Sequence, residues 1–470
     1  MEGLEISIVS FSEMLNHTVS SRFDAEFFKK EYLIDDKSIA KNGFDKLVAV
    51  TSKINVGFVG SMVEHYRKDG CTLLQTKNID KFFISDNDTI KVTYEFHNEL
   101  KKSQIKYEDI LIARSGSFGK ASIYLENEII NSSDIIIVKA NGAISPYYLV
   151  SFLNSKFGVN QMIRFSSGGL QGHVNLTILE ELEVPKLDEK FQFSIEEVIK
   201  KAYECRLKSK KTYKKAEGLL LQEIDLQDFE PSKEPVNIKS FSDSFGASGR
   251  LDAEYYQPKY EVIENAVKSY SNGYNTFNKL ITNSSTGYTY KSDTYCDEGI
   301  PLIRINNISN GNLDLSNATN IPFKDFHLSE KDIALENDIL ISMSGTIGSS
   351  CKIPEGVKAV VNQRIMRISP KNINPDILPL IINSVIGQYQ LARVGTGGVQ
   401  TNISANDIKE ILIPNYDLNK QQQIAELVEQ SFKLKKQSEQ LLVVAKTAVE
   451  MAIEQNEAVA LDFIAKNAVL

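Results

Sequence analysis

The chain repeats itself. The string DILIARSGSFG at Asp109–Gly119 returns as DILISMSGTIG at Asp338–Gly348, 229 positions later. The same displacement lays Leu73–Ile79 on Leu302–Ile308, Asn154-Ser155 on Asn383-Ser384, and Gln161 and Arg164 on Gln390 and Arg393. It also lays Ser167–Gln171 on Thr396–Gln400 and Pro185 on Pro414. Upstream, RFDAEFF from Arg22 matches RLDAEYY from Arg250 at a displacement of 228. A register held over more than a hundred residues marks a duplication, so one plan must serve twice.

Each copy opens with short apolar runs of strand character: Ile84–Tyr94, Ile110–Ala113 and Ile135–Val138 in the first, Leu302–Ile305 and Ile365–Ile368 in the second. Helices are expected at Pro146–Phe157 and Pro375–Gln390, each with proline at its start. A long proline-free helix closes each copy, over Phe191–Ile224 and Gln421–Glu454. Apolar residues spaced along one side, among them Ile195, Val198, Ala202, Leu207 and Leu220, then Ile424, Val428, Leu441 and Ala448, form a seam that is weak at the centre of the first helix. Two seams in a duplicated chain predict that the helices pair antiparallel. Each would span about 50 Å at 1.5 Å per residue, near one and a half turns of B-DNA. The alternative is that each helix packs on its own copy. Glu230-Pro-Ser-Lys-Glu-Pro235 is the expected linker. The fold class read from this is α+β, with two β-rich domains in tandem, each followed by a long helix. The boundaries fall at residues 1–190, 191–228, 229–419 and 420–470.

A chain of 470 residues with 42% hydrophobic content can build several cores. Its start lacks the pattern of a signal peptide, and no run approaches the length of a membrane helix, so a cytoplasmic protein is expected. Cys71, Cys205, Cys296 and Cys351 are far apart, which suits buried free thiols in a reducing compartment. The net charge of −8 argues against nonspecific coating of nucleic acid but permits local basic patches.

The loop SGSFGK, Ser115–Lys120, invites reading as a phosphate cradle. A P-loop needs GxxxxGK[ST] opening a helix. Here the spacing is wrong, Ala121–Leu125 reads as a strand, and the twin loop has Ser349 in place of the lysine. The shared feature is a strand–turn–strand, and catalytic chemistry is not expected of it.

In its plan and its strings the chain resembles the specificity (S) subunit of type I restriction–modification systems. The resemblance rests on DILIARSGSFG and DILISMSGTIG, and on SSGGLQGHVNLTILEELEVP and VGTGGVQTNISANDIKEILIP, each running into a long helix. It covers essentially the whole chain. The second GG-x-Q string is the more family-like, since the first has His173 and Leu176 where the second has Asn402 and Ala405. The resemblance implies a non-catalytic DNA reader. Each β-rich region would be a target recognition domain reading half of a bipartite, asymmetric site, and the paired helices would set the spacer. Double-stranded DNA would be one partner. Two modification subunits, which use S-adenosylmethionine to methylate adenine, would dock on the helical regions, residues 191–228 among them, and restriction subunits would join for cleavage. The chain itself would bind no cofactor and no metal. Two other functions stay open: the specificity subunit of a two-component type II-like system, and a duplicated β-rich binding protein for something other than DNA.

Tyr, Asn, Gln, Arg and Lys reach both phosphates and base edges, so polar loops supply the contact candidates. In the first copy these are His65, Tyr66, Arg67, Lys68, Lys77, Asn78, Arg114, Lys120, Gln171 and His173. In the second they are Tyr288, Tyr290, Lys291, Arg304, Asn306, Arg364, Gln400 and Asn402. Any of them has a plainer alternative as a solvated side chain or a satisfied structural amide. The run Lys200–Lys215 carries eight basic residues against one acidic residue. It suits a solvated helix face, the DNA backbone or an acidic partner. The carboxylates of RFDAEFF and RLDAEYY suit structural ion pairs or partner docking.

Overall fold

The computed structural model describes residues 7–16, 24–114, 119–166, 174–232, 234, 236–309, 311–316, 318–395 and 402–468. They form two compact units, Met1–Leu207 with Lys435–Leu470, and Lys208–Leu434. Part of the expected linker, Lys233 and Pro235, lies outside the described residues.

In the first unit one five-stranded sheet runs Thr51–Val56, Ile135–Ala140, Ile110–Ala113, Ala121–Ile123, Phe82–Phe83. A second runs Tyr66–Arg67, Ile90–Val92, Cys71–Leu74, Ile130–Ser132, Gln104–Ile105. The inner strand Ile135–Ala140 of the first sheet is apolar on both faces over Ile135–Val138 because both are covered. Ile136 and Val138 join the core shared with the helices, while Ile135 lies with Ile137 against the second sheet. Strand Ile110–Ala113 divides the same way.

The second unit repeats the arrangement with four strands per sheet: Ile281–Thr286, Ile365–Pro370, Ile339–Ser342, Ser350–Lys352, and Thr319–Ile321, Ile300–Ile303, Ala359–Val361, Ile333–Ala334. A hairpin, Ile308–Ser309 with Asn312–Leu313, stands where the first unit has Phe82–Phe83. The pairings also locate a one-residue insertion. Asp134 N bonds to Phe58 O as Gln363 N bonds to Tyr288 O, and Gly57 N bonds to Ile135 O as Gly287 N bonds to Ile365 O. Arg364 is therefore the residue that the second copy adds.

Several expectations need correction. Ile84–Tyr94 is not one strand: Ile90–Val92 is extended, and Thr93 caps a helix that starts at Tyr94. Each expected proline-led helix is two. Pro146–Asn154 stops before Lys156–Phe165, and Leu378–Asn383 before Val385–Val394. The break falls at Ser155 and Ser384, whose side chains cap the following helix. The chain turns tightly there: a Cβ on Gly158 or Gly387 would sit 2.4 Å from the carbonyl of Phe152 or Ile382. Two cysteines, Cys71 and Cys351, are buried, but Cys205 and Cys296 are half-buried, and all four are free.

The residues that repeat across the copies are clamps. Asn154 grips both backbone groups of Ala121, and Asn383 grips those of Ser350. Gln161 does the same to Glu183, and Gln390 to Leu412. The Arg164 guanidinium lies 4.4 Å over the Phe27 ring, bonds to Phe27 O at 2.7 Å and pairs with Asp36 at 2.8 Å. Arg393 lies 4.3 Å over Tyr255, bonds to Tyr255 O and pairs with Glu264. Burial opposes ionisation of Glu264, but Lys268 and Arg393 outweigh it and hold that carboxyl below the usual range. The DAEFF and DAEYY motifs thus supply the rings and carbonyls on which these arginines rest.

The long helices are Glu189–Gln222 and Leu418–Glu454, and they pair antiparallel as a coiled coil. In the first unit Phe191, Ile195, Ile199 and Ala202 pack with Leu441, Ala445, Ala448 and Ile453. In the second Ala216, Leu220 and Ile224 pack with Ile424 and Val428. The centre of the seam is polar. Ser438 Oγ donates to Ala202 O at 2.7 Å, and Ser209 Oγ to Ser431 O at 2.8 Å. Leu207, expected in the seam, is exposed.

Candidate nucleic-acid interface

With the clamps assigned to scaffold, the polar loops at the strand ends remain. In the first unit, strand Cys71–Leu74 runs into a turn at Thr76–Asn78. Asn78 is a correction: its amide is buried, donating to Ser85 O at 3.1 Å and Asn87 O at 2.8 Å and accepting from Gln75 N at 3.0 Å. It shapes the turn and leaves Lys77 exposed on it. Thr76 Oγ1 donates to Asp134 O, which brings the turn beside Arg114. The Arg114 guanidinium reaches Asp134 at 3.0 Å, and the Lys120 ammonium reaches Asp80 at 2.9 Å. Turn, arginine and lysine thus converge on one edge of the unit. These pairs are more than a third exposed on at least one side. Each adds at most about 1 kcal/mol to stability and can exchange its carboxylate for a phosphate at little cost.

Nearby, His65 stacks on Phe96 with ring centroids 3.8 Å apart, and Tyr66 is half-buried against the same core. Both are largely occupied with packing. Arg67 and Lys68 are exposed, though Arg67 folds back onto the carbonyls of Glu64 and Tyr66.

The second unit builds its edge from different side chains. Tyr288 is partly exposed and meets Tyr290 edge to face at 4.9 Å. Tyr290 is the second correction: it is buried, its hydroxyl bonded to Ser329, and burial raises its phenol above the ordinary range. In the next turn Asn307 is the buried amide, the twin of Asn78. It accepts from Arg304 N at 2.9 Å and donates to Asp314 O at 3.0 Å, leaving Asn306 exposed. Arg304 Nε is buried and has no hydrogen-bond partner among the described residues. The Arg304 guanidinium lies 5.9 Å from the centre of the Tyr295 ring. Arg364 and Lys291 are exposed. Met343 N donates to Arg364 O, Ile403 N to Met343 O, and Ser344 bridges Asn402, so Tyr288, Arg364 and Asn402 gather on one edge.

The Ser-Gly-x-x-Gly loop joins antiparallel strands in both copies, with Gly119 at φ +78° and Gly348 at φ +75°. No helix follows to hold a phosphate. Ser115–Phe118 lies outside the described residues, as do Gln171, His173 and Gln400. Loop residues missed at the sequence level are Asp80 and Asp134, the partners of the first unit's cations, and Gln363, the twin of Asp134. Their signal was the repeat register itself.

Among the described residues no group of three potential ligands could hold a metal ion, and no helix is long and apolar enough to cross a membrane. Cys71 Sγ lies 3.1 Å from His97 Nδ1 inside the first unit, but burial pushes the thiol up to about 11 and the pair is closed to substrate.

A duplicated scaffold, held by identical clamps and edged by loops that differ, defines a tandem recognition protein. Residues 29–217 and 265–443 match the family described as type I restriction modification DNA specificity domain, and the chain belongs to that family. A stretch of 138 residues is 30% identical to the type I restriction enzyme EcoBI specificity subunit of Escherichia coli, spanning 29% of either chain. The type I restriction–modification S subunit from M. genitalium is similar in structure, with 12% identity, 87% and 94% coverage and a TM-score of 0.37. The HsdS subunit from Thermoanaerobacter tengcongensis is similar at 14% identity, 88% and 96% coverage and a TM-score of 0.28.

Proposed function

We propose that this chain reads a bipartite, asymmetric DNA site, one half through each β-rich unit, and directs adenine methylation there by partner subunits. Residues 1–190 and 229–419 carry recognition, and the helical stretches 191–228 and 420–470 set the spacer. Two modification subunits bring S-adenosylmethionine, restriction subunits add cleavage, and the assembly works in the cytoplasm. The observation that carries this reading is the contrast between copies. Clamp residues agree at Asn154/Asn383, Gln161/Gln390 and Arg164/Arg393, whereas edge residues differ at Gln75/Arg304, Arg114/Met343 and Lys120/Ser349. Two readers on one scaffold need that pattern, because base identity is read by side chains at groove edges.

The test is expression of the chain with its methyltransferase partner, followed by long-read mapping of methylated adenines. A split motif is expected. A verified complex that methylates a contiguous motif, or none, removes the reading. Lengthening both long helices by about one turn should alter the spacer and leave the half-sites as they were.

A further inference from the structure

We propose that Gln75 and Arg304, twin positions in the two units, each read one base: an adenine for Gln75 in the first half-site and a guanine for Arg304 in the second. The inference rests on the functional reading above in taking the ligand to be DNA.

The two residues stand in one place. Gln75 follows the strand Cys71–Leu74, Arg304 follows the strand Ile300–Ile303, and each opens the same turn. The backbone is at φ −116°, ψ 166° in Gln75 and at φ −117°, ψ 168° in Arg304. Gln75 N donates to Asn78 Oδ1 at 3.0 Å, and Arg304 N donates to Asn307 Oδ1 at 2.9 Å. The preceding residue is held alike, Ser133 N bonding to Leu74 O and Asn362 N to Ile303 O. Side-chain direction follows from φ and ψ, so one mount carries two different heads.

Neither head is used by the fold. Both residues are half-buried, and neither the Gln75 amide nor the Arg304 guanidinium makes a hydrogen bond or ion pair among the described residues. Of the other described arginines only Arg364 shares that freedom. Arg67 and Arg206 bond to carbonyls, and Arg114, Arg164, Arg250, Arg367 and Arg393 to carboxylates. Beside the Arg304 turn lies a second unmet group. Ser344 is 7% exposed, and its Oγ has no hydrogen-bond partner among the described residues. A Cβ on the next residue, Gly345, would come 3.8 Å from Ile305 Cγ2. Buried polar groups left unmet on one edge call for a ligand that meets them.

The chemistry of the heads names the bases. In the major groove guanine shows two acceptors, N7 and O6, which suit the two-donor fork of an arginine. Adenine shows one acceptor and one donor, N7 and the N6 amino group, which suit the carbonyl and amino ends of a glutamine amide. A phosphate would suit Arg304 but not its twin, because a neutral amide neutralises no charge. Phosphates are also the same in both half-sites, whereas bases differ.

The test uses the full chain with its methyltransferase partner. In long-read methylomes Arg304→Gln should turn one guanine into adenine in one half of the motif, leaving the other half and the spacer as they were. Gln75→Arg should turn one adenine into guanine in the opposite half. On duplexes that differ only at the reading position, each purified complex should prefer its own base by about 5- to 150-fold. Placing 7-deazaguanine there removes the N7 acceptor; it should weaken the unaltered complex and leave Arg304→Ala unmoved. That arm uses the unaltered chain, so it does not depend on how the variants fold. Equal binding of guanine and 7-deazaguanine by the unaltered complex would overturn the proposal. So would Arg304→Gln weakening every duplex alike, with the salt slope reduced by about one unit, as for a phosphate contact. If the unaltered complex directs no split motif, the functional reading falls and this inference with it. If it directs a split motif that neither substitution moves, only this inference falls.

Discussion

The two recognition edges are built on the same turns yet hold their charges differently. In the first unit Arg114 and Lys120 are already paired, with Asp134 and Asp80. In the second, the corresponding positions are Met343 and Ser349, with Gln363 and Ser309 where the aspartates stood. Its cations are displaced to Arg304, in place of Gln75, and to the added Arg364. Neither has an ion-pair partner among the described residues. A paired cation is held in one orientation until a phosphate or base displaces the carboxylate. An unpaired one with a buried, unbonded Nε is a stronger standing demand for a hydrogen-bond acceptor. The first edge is thus pre-compensated and the second is not. Scaffold and edge are separable: the clamp residues that agree between copies maintain the fold, and on the function proposed above those that disagree would address the ligand.

The largest expected effect tests the scaffold side. Arg164→Ala removes a side chain only 2% exposed, together with its bonds to Asp36 and the Phe27 carbonyl. A loss of about 3–5 kcal/mol in denaturant unfolding is expected. Arg393→Ala should cost less because its clamp is more exposed, at 16%. Any complex that still forms should methylate the same motif. A changed motif would break the division between scaffold and reader.

Arg304→Ala tests the uncompensated edge. If Arg304 meets a base, specific binding weakens by about 1–3 kcal/mol, and the methylome relaxes at one position in one half-site only. Lys77→Ala, on the compensated side, should weaken all sequences alike and reduce the salt slope by about one unit.

A buried contrast lies beneath the edges. Asp338 accepts from Arg367 at 3.0 Å and from Ser369 at 2.6 Å. Its twin Asp109 has one buried oxygen without a hydrogen-bond partner among the described residues. Burial raises the Asp109 carboxyl above its ordinary value, against bonding from Lys106 N and the pull of Lys53 and Lys139. The folded state therefore binds a proton more tightly than the unfolded chain. The stability this gives is present below the unfolded value of about 3.9 and is lost as pH rises through the raised folded value. Asp109→Asn should flatten that decline, measured as unfolding free energy from pH 4 to 7. An unchanged slope would contradict the raised Asp109 carboxyl. The smallest effect is expected for Lys120→Ser, which copies the second edge into the first. Its exposed pair with Asp80 should change stability by less than about 1 kcal/mol.

Much of this was legible in residue order. The duplication, both long helices and the strand–turn–strand at Ser-Gly-x-x-Gly follow from period and register. What escaped depends on contacts distant in sequence. Nothing local distinguishes Asn78, a buried amide, from the exposed Asn306, because burial is set by carbonyls seven and nine residues downstream. Tyr290 reads as a loop aromatic in the sequence, and only the distant Ser329 against its hydroxyl makes it a buried one. The breaks at Ser155 and Ser384 were masked by continuous apolar patterning on either side. The one-residue insertion at Arg364 is invisible when a single displacement spans the repeat, and only strand pairing exposes it.

The most direct measurement replaces residues 236–414 with residues 8–185 and maps the methylome of cells expressing this chain with its methyltransferase partner. If each unit reads one half of the site, the motif stays split and both halves become the first unit's half-site, read on either strand. A motif that keeps two different halves, or a folded complex that methylates no split site, would contradict the account.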